Sequence, residues 1–132
     1  MKRVLIIDDE ESLRLLIERI LQSLPGLEAT LADGGERTLE LLAGRAYDLI
    51  LLDLLMPGLG GLELLRRIRA SAANKATPVI VVSVVSDAAT KVVCRSLGVA
   101  DYVVKPVERE ALLRAVKAAL AGNRGQSPIS GK

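Results

Sequence analysis

Five polar side chains in this sequence stand directly after short apolar runs. Asp8 and Asp9 follow VLII, Asp53 follows LILL, Ser83 follows VIVV, and Lys105 follows YVV. Brought together, they would put three carboxylates, a hydroxyl and an ammonium in one place. Crowded carboxylates repel one another, and burial raises their pKa values. A divalent cation relieves both effects, and an all-oxygen ligand set without thiol or imidazole suits Mg2+. This ion keeps some of its waters and shares phosphoryl oxygens readily. Ser83 would offer a hydroxyl and Lys105 a point positive charge to the remaining oxygens of a phosphoryl group. Phosphoryl transfer depends chiefly on positioning and charge neutralisation, and a carboxylate can serve as the nucleophile that forms an acyl phosphate. Taken singly, each residue has an ordinary structural reading as a helix cap, a turn residue or a solvated charge. It is their joint occurrence after four apolar runs that points to chemistry.

The elements that must position these groups alternate along the chain. Val4–Ile7, Leu49–Leu52 and Val79–Val82 are continuously apolar and rich in branched residues, as expected of strands covered on both faces. Leu27–Ala32 alternates only in part and reads as an edge strand, and Tyr102–Val104 as a short one. Between them lie helical patterns. The first carries Leu13, Leu16, Ile17, Ile20, Leu21 and Leu24, preceded by Ser12 and stopped by Pro25-Gly26. A second runs through Leu39 and Leu42 to Gly44, a third shows Leu62, Leu65 and Ile68 on one face, and a fourth spans residues 87–97 before Gly98. The last carries Leu112, Leu113, Val116, Ala119 and Leu120 and closes at Gly122. Strand and helix alternating five times imply βαβ units, hence an α/β fold with a mainly parallel sheet and helices on both faces. Doubly wound sheets of this kind place their sites beyond the carboxyl ends of the strands, where Asp8, Asp9, Asp53, Ser83 and Lys105 fall. Residues 1–121 thus read as one domain. From residue 122 the composition turns to Gly, Asn, Ser and Pro, which reads as a flexible tail or the start of a linker.

Composition excludes several alternatives. A length of 132 residues suits one ordinary domain. With two Tyr and no Phe or Trp, the core must be aliphatic. The net charge of +2 is small, and Lys and Arg are mixed with Glu and Asp along the chain. The densest basic group, Arg66, Arg67 and Arg69, reads as a solvated helix face, so direct nucleic-acid binding is not expected. The single Cys94 cannot form an internal disulfide. Without histidine there is no Cys/His zinc site and no histidine general base. The apolar run near the N-terminus is too short for a secretory signal, and none reaches membrane-spanning length. A cytoplasmic location is the expectation.

Four blocks, KRVLIIDDEE, YDLILLDLLMPGLGGLELL, PVIVVSVVS and ADYVVKP, together resemble the motifs of response-regulator receiver domains, over nearly all of residues 2–121. The resemblance implies a flavodoxin-like (βα)5 fold with strand order 2-1-3-4-5. It casts Asp53 as the phosphoacceptor, and Asp8, Asp9, Asp53 and the backbone carbonyl of Leu55 as the Mg2+ site. Ser83 matches the switch hydroxyl, Tyr102 the aromatic that turns inward with it, and Lys105 the lysine that contacts the phosphoryl group, with Lys105-Pro106 commonly cis. The implied function is a phospho-accepting switch in two-component signalling, catalysing only its own phosphorylation and dephosphorylation. Its donor would be a sensor histidine kinase or a histidine phosphotransfer protein. Its output face would be the fourth helix, fifth strand and fifth helix, residues 87–121, toward an effector domain or protein, and a homodimer through that face is among the arrangements it allows.

Several positions depart from the family pattern. Val84 stands where Ala or Gly is usual, and Gly60 where Asp or Asn often caps a helix. Leu55 and Val85 are apolar where side chains often influence the hydrolytic water, which implies slow self-dephosphorylation. Val84 also keeps in view a pseudo-receiver, the same fold acting as a phosphorylation-independent protein-binding module. A haloacid-dehalogenase-like phosphatase would need a DxD pattern after the first strand, and Asp8-Asp9 are adjacent. Flavin binding would need a phosphate-cradling loop there, and this loop holds Asp8, Asp9, Glu10 and Glu11.

Overall fold

The computed structural model describes residues 1–122. The ten elements alternate as the sequence patterning predicts: β1 (Lys2–Ile7), α1 (Glu11–Leu21), β2 (Leu27–Ala32), α2 (Glu36–Gly44), β3 (Leu49–Leu52), α3 (Gly61–Ala70), β4 (Val79–Ser83), α4 (Ala88–Ser96), β5 (Asp101–Val104) and α5 (Arg109–Leu120). The strands form one sheet in the order β2-β1-β3-β4-β5, and every neighbouring pair is parallel. This is the expected flavodoxin-like arrangement. The anticipated tail lies, from residue 123 on, outside the described residues.

Burial explains the strand patterns. All four residues of β3 and all five of β4 are buried, as are Val4–Ile7, four of the six residues of β1. These central strands need apolar side chains on both faces because helices cover both. One face packs Leu5, Ile7, Ile50, Leu52, Val79 and Val81 against α2, α3 and α4. The other packs Val4, Ile6, Leu49, Leu51, Ile80 and Val82 against α1 and α5. β2, with one sheet neighbour, is mostly half-buried.

Two helix stripes differ from the sequence reading. In α1, Ile17, Ile20 and Leu21 are buried, but Leu16 is 45% exposed, and regular helix stops at Leu21, three residues before Leu24. Residues 22–24 continue as a hydrogen-bonded turn, with Leu24 N–H donating to the Leu21 carbonyl at 3.0 Å. In α3 the fully buried leucines are Leu64 and Leu65, with Leu62 only half-buried. The stripe is rotated because Gly61, not Leu62, meets the backbone after β3.

Polar clasps tie the loops at the amino ends of β3 and β4. Asn74 is fully buried and donates through Nδ2 to the carbonyls of Leu42 and Arg45, both at 2.8 Å, and it accepts from Tyr47 N–H at 2.9 Å. Arg69 on α3 brackets two segments at once. Its Nε donates to the Leu97 carbonyl at 2.7 Å and its Nη1 to the Thr77 carbonyl at 2.8 Å, while Nη2 reaches the Gly98 carbonyl at 3.2 Å. Leu97 is the C-cap of α4, and Gly98 follows it. A guanidinium fork suits this task, and an ammonium cannot reproduce it. Arg69→Lys is therefore expected to lower stability by about 1 kcal/mol, read as a lower urea midpoint at an unchanged slope. An unaltered midpoint would show that the bracket contributes nothing.

Candidate functional site

Strand register brings the chemistry-bearing residues together. Ile7 is level with Leu52, and Leu52 with Val81, so the chain leaves β1 and β3 side by side. Asp53 N–H extends this ladder by donating to the Ile7 carbonyl at 3.0 Å. On the other side Ser83 is level with Val104, and Lys105 N–H donates to the Ser83 carbonyl at 2.9 Å. Asp8, Asp53, Ser83 and Lys105 are thus fixed by backbone hydrogen bonds at one edge of the sheet.

Asp8, Asp9 and Asp53 each offer a carboxylate oxygen, and these oxygens lie within 4.8 Å of one another. Asp8 and Asp53 are 1% and 4% exposed, whereas Asp9 is open to solvent. Lys105 bridges the two buried acids, its Nζ 3.0 Å from Asp8 Oδ2 and 3.2 Å from Asp53 Oδ2. The second oxygen of each acid accepts a local backbone N–H: Glu10 donates to Asp8 at 2.9 Å and Leu55 to Asp53 at 3.1 Å. Burial holds the Asp8 carboxyl above the usual range, although the Glu10 N–H and Lys105 pull it down. Burial likewise pulls on Lys105 in the direction of lost charge, but the hydrogen bond it donates to Asp8 and the charge on Asp53 outweigh it, and its pKa is raised. One ammonium therefore serves two buried anions, and Asp9 supplies a third at the mouth. This donor set is all oxygen, net negative and partly open, which fits a hard divalent cation.

Ser83 and Tyr102 meet on the loop after β4. Ser83 is fully buried, and its hydroxyl oxygen accepts from Val85 N–H at 3.2 Å. The Tyr102 hydroxyl donates to the Val85 carbonyl. The residue two past the strand is thus gripped on both sides of its backbone. Burial, and then the negative potential of neighbouring groups led by Cys94, push the Tyr102 hydroxyl up to about 12, so it acts as a neutral donor. Val84 is more than half exposed, and Leu55 is 61% exposed beside the site. The Lys105-Pro106 bond is cis. Cys94 is buried, its thiol pushed up to about 11 by desolvation, and it takes no part in the site.

Two supporting residues escaped the sequence reading. Arg14 on α1 donates through Nη1 to the Asp8 carbonyl at 2.7 Å, pinning the turn that carries the acids. Gly61 starts α3 where a Cβ would lie 2.3 Å from Leu54 Cα and 2.5 Å from the Asp53 carbonyl oxygen. No other residue fits there without moving the backbone that presents Asp53. Gly60, at the N-cap, has φ of 80° and no side-chain cap; the helix start is fixed instead by Gly61 N–H donating to the Leu54 carbonyl at 3.0 Å. The Gly-Gly pair was the available signal.

Comparison with known proteins agrees with this geometry. The family model for the response regulator receiver domain matches residues 4–117. The chain is 38% identical over 120 residues to the response regulator ArlR of Staphylococcus saprophyticus, covering 91% of this chain and 53% of that protein. It thus spans about half the length of the first of its curated relatives. It is 34% identical to the protein PilH of Pseudomonas aeruginosa over 122 residues, covering 92% of this chain and all of that one. Among solved structures, it resembles the receiver domain of a sensor histidine kinase from Pseudomonas aeruginosa, which has a magnesium ion coordinated in its active site cleft. That match has a TM-score of 0.80 at 28% identity and covers 91% of this chain and 98% of the other. A CheY-like receiver domain from Methanospirillum hungatei matches with a TM-score of 0.84 at 25% identity, over 96% and 98% of the two chains.

Proposed function

Since this chain belongs to the response regulator receiver domains, we propose that it works as a switch that takes a phosphoryl group on Asp53. The observation that carries this reading is the pairing of Asp53 with Lys105 at 3.2 Å inside an acidic cluster that also holds Asp8 and Asp9. The Asp53 oxygen attacks phosphorus, the bond from phosphorus to the leaving group breaks (P–N to the imidazole of a phosphohistidine donor, P–O to acetate in acetyl phosphate), and an acyl phosphate results. Asp8, Asp9, Asp53 and the backbone carbonyl of Leu55 would hold Mg2+, whose charge would neutralise the phosphoryl oxygens. Lys105 orients a phosphoryl oxygen by exchanging a carboxylate partner for it. The new group carries about −1.5 to −2 charge and three acceptors, which draw the Ser83 hydroxyl away from Val85 N–H. With Ser83 turned to the phosphoryl group, the loop favours the arrangement in which Tyr102, turned inward, holds the Val85 carbonyl, and α4, β5 and α5 carry the result outward.

Donor and receiver of the signal follow the family. A sensor histidine kinase or a histidine phosphotransfer protein supplies the phosphoryl group, and an effector domain or protein reads the α4-β5-α5 face, through which a homodimer could also form. Beyond its own phosphorylation and dephosphorylation the domain turns over no substrate. Direct nucleic-acid binding is not proposed. Among the described residues no helix is long and apolar enough to cross a membrane, and the proposed location is cytoplasmic.

Incubation with acetyl phosphate and Mg2+ is expected to add one phosphoryl group, read by intact mass, and chelation of the metal is expected to prevent it. A protein that stays unlabelled under both conditions yet still binds a partner would be a phosphorylation-independent module, and the proposal would fall.

A further inference from the structure

Lys91 lies over one face of the Tyr102 ring. This lysine, on α4, sets its Nζ 5.4 Å from the ring centroid. That lies within the roughly 6 Å over which a cation is attracted to an aromatic face. The acid nearest in sequence, Asp87, is committed elsewhere: it caps α4, its oxygens accepting from Thr90 N–H at 3.0 Å and Thr90 Oγ1 at 2.8 Å. No ion pair to Lys91 occurs among the described residues. Donation of the Tyr102 hydroxyl to the Val85 carbonyl also enriches the ring in electron density, which strengthens the attraction. The contacts then form a line from Ser83 Oγ to the Val85 backbone, to the Tyr102 hydroxyl and ring, and out to the Lys91 ammonium on the surface of α4.

We propose that Lys91 is a positioning residue for the switch: its charge over the ring holds Tyr102 in the orientation bonded to Val85, and so sets how readily the loop after β4 adopts that arrangement. The inference rests on the switching reading of Ser83 and Tyr102 given above. At the opposite end of α4, Leu97 and Gly98 are held by Arg69. The lysine therefore acts at the end of the helix that the bracket leaves unheld. A partly exposed contact of this kind is expected to bias the orientation about 2- to 5-fold.

The sequence provides its own probe. It holds two tyrosines and no tryptophan, so in a Tyr47→Phe background Tyr102 is the sole source of tyrosine emission. That background is benign, because Tyr47 is buried and its hydroxyl has no hydrogen-bond partner among the described residues. In it, Lys91→Met keeps the stem over the ring and removes the charge, while Lys91→Arg keeps the charge. Two quantities are measured: quenching of Tyr102 emission by acrylamide, and the midpoint of its response to beryllofluoride with Mg2+. Lys91→Met is expected to increase quenching and to weaken the beryllofluoride midpoint about 2- to 5-fold, with Lys91→Arg close to the parent. If Lys91→Met matches the parent in both measurements, or Lys91→Arg is as weak as Lys91→Met, the inference is overturned while the phosphoacceptor reading stands. If no variant, parent included, responds to beryllofluoride, the switching reading fails and takes the inference with it.

Discussion

Asp53→Asn is expected to abolish labelling by acetyl phosphate and Mg2+, a loss of at least about 1,000-fold in rate. Removing a nucleophile acts on that scale because no other group replaces its bond-forming oxygen. Asp8 and Asp9 are close enough to be rivals, since an oxygen of each lies within 4.8 Å of one from Asp53. Neither is placed as Asp53 is. Asp9 is open to solvent, and Asp8, though buried and held by Glu10 N–H and Lys105, stands at the end of β1 with burial opposing its ionisation. Asp53, by contrast, is buried at the end of the central strand β3, with Leu55 N–H at 3.1 Å and Lys105 at 3.2 Å. Asparagine keeps its volume and can still accept from Leu55 N–H. What it removes is one negative charge from a cluster in which burial already opposes ionisation of Asp8. The variant is therefore expected to be at least as stable as the parent without metal, which separates lost chemistry from lost folding. Phosphoryl transfer at an undiminished rate to Asp8 or Asp9 in this variant would refute the assignment of the nucleophile.

The strands that carry these groups were legible because burial on both faces forces an unbroken apolar run. Leu49–Leu52 is β3 residue for residue, and Val79–Val82 extends by only Ser83. Local rules sufficed there, and they also bounded α4, which Asp87 caps and Gly98 follows. The site residues were legible for a related reason. A polar side chain that ends such a run must lie at the sheet's carboxyl edge, and parallel register then brings the edges together. Less regular features were lost for the converse reason. Arg14, Arg69 and Asn74 all bind backbone carbonyls outside their own helix or turn, and a carbonyl leaves no mark in the residue types. Leu16 matched the apolar period of α1 and is still half open, since period alone does not say how wide a face the sheet covers. Gly61 was hidden by its neighbour: the cap missing at Gly60 shows in the residue types, whereas the tight approach to Leu54 and Asp53 is one residue later.

Leu55→Asn combined with Val85→Glu is expected to shorten the lifetime of the acyl phosphate about 10- to 100-fold, at and below the low end of what positioned acid–base groups supply. Hydrolysis needs a water that approaches phosphorus opposite the Asp53 oxygen, and its rate depends on what orients that water and accepts its proton. Leu55 stands two residues past Asp53, touches it through its backbone N–H, and is 61% exposed. Val85 stands two residues past Ser83 and is half-buried. Both side chains are apolar and offer the water neither donor nor acceptor, so the parent is expected to lose its phosphoryl group slowly. The polar pair supplies both, an amide to orient the water and a carboxylate to take its proton. The Val85 contacts to Ser83 and Tyr102 run through backbone atoms and survive a change of side chain, so an unchanged Tyr102 signal would show the switch intact. Decay of the labelled protein after donor removal measures the effect. Rapid decay of the parent, or equal decay of parent and double variant, would mean that water reaches the acyl phosphate by a route these two side chains do not govern.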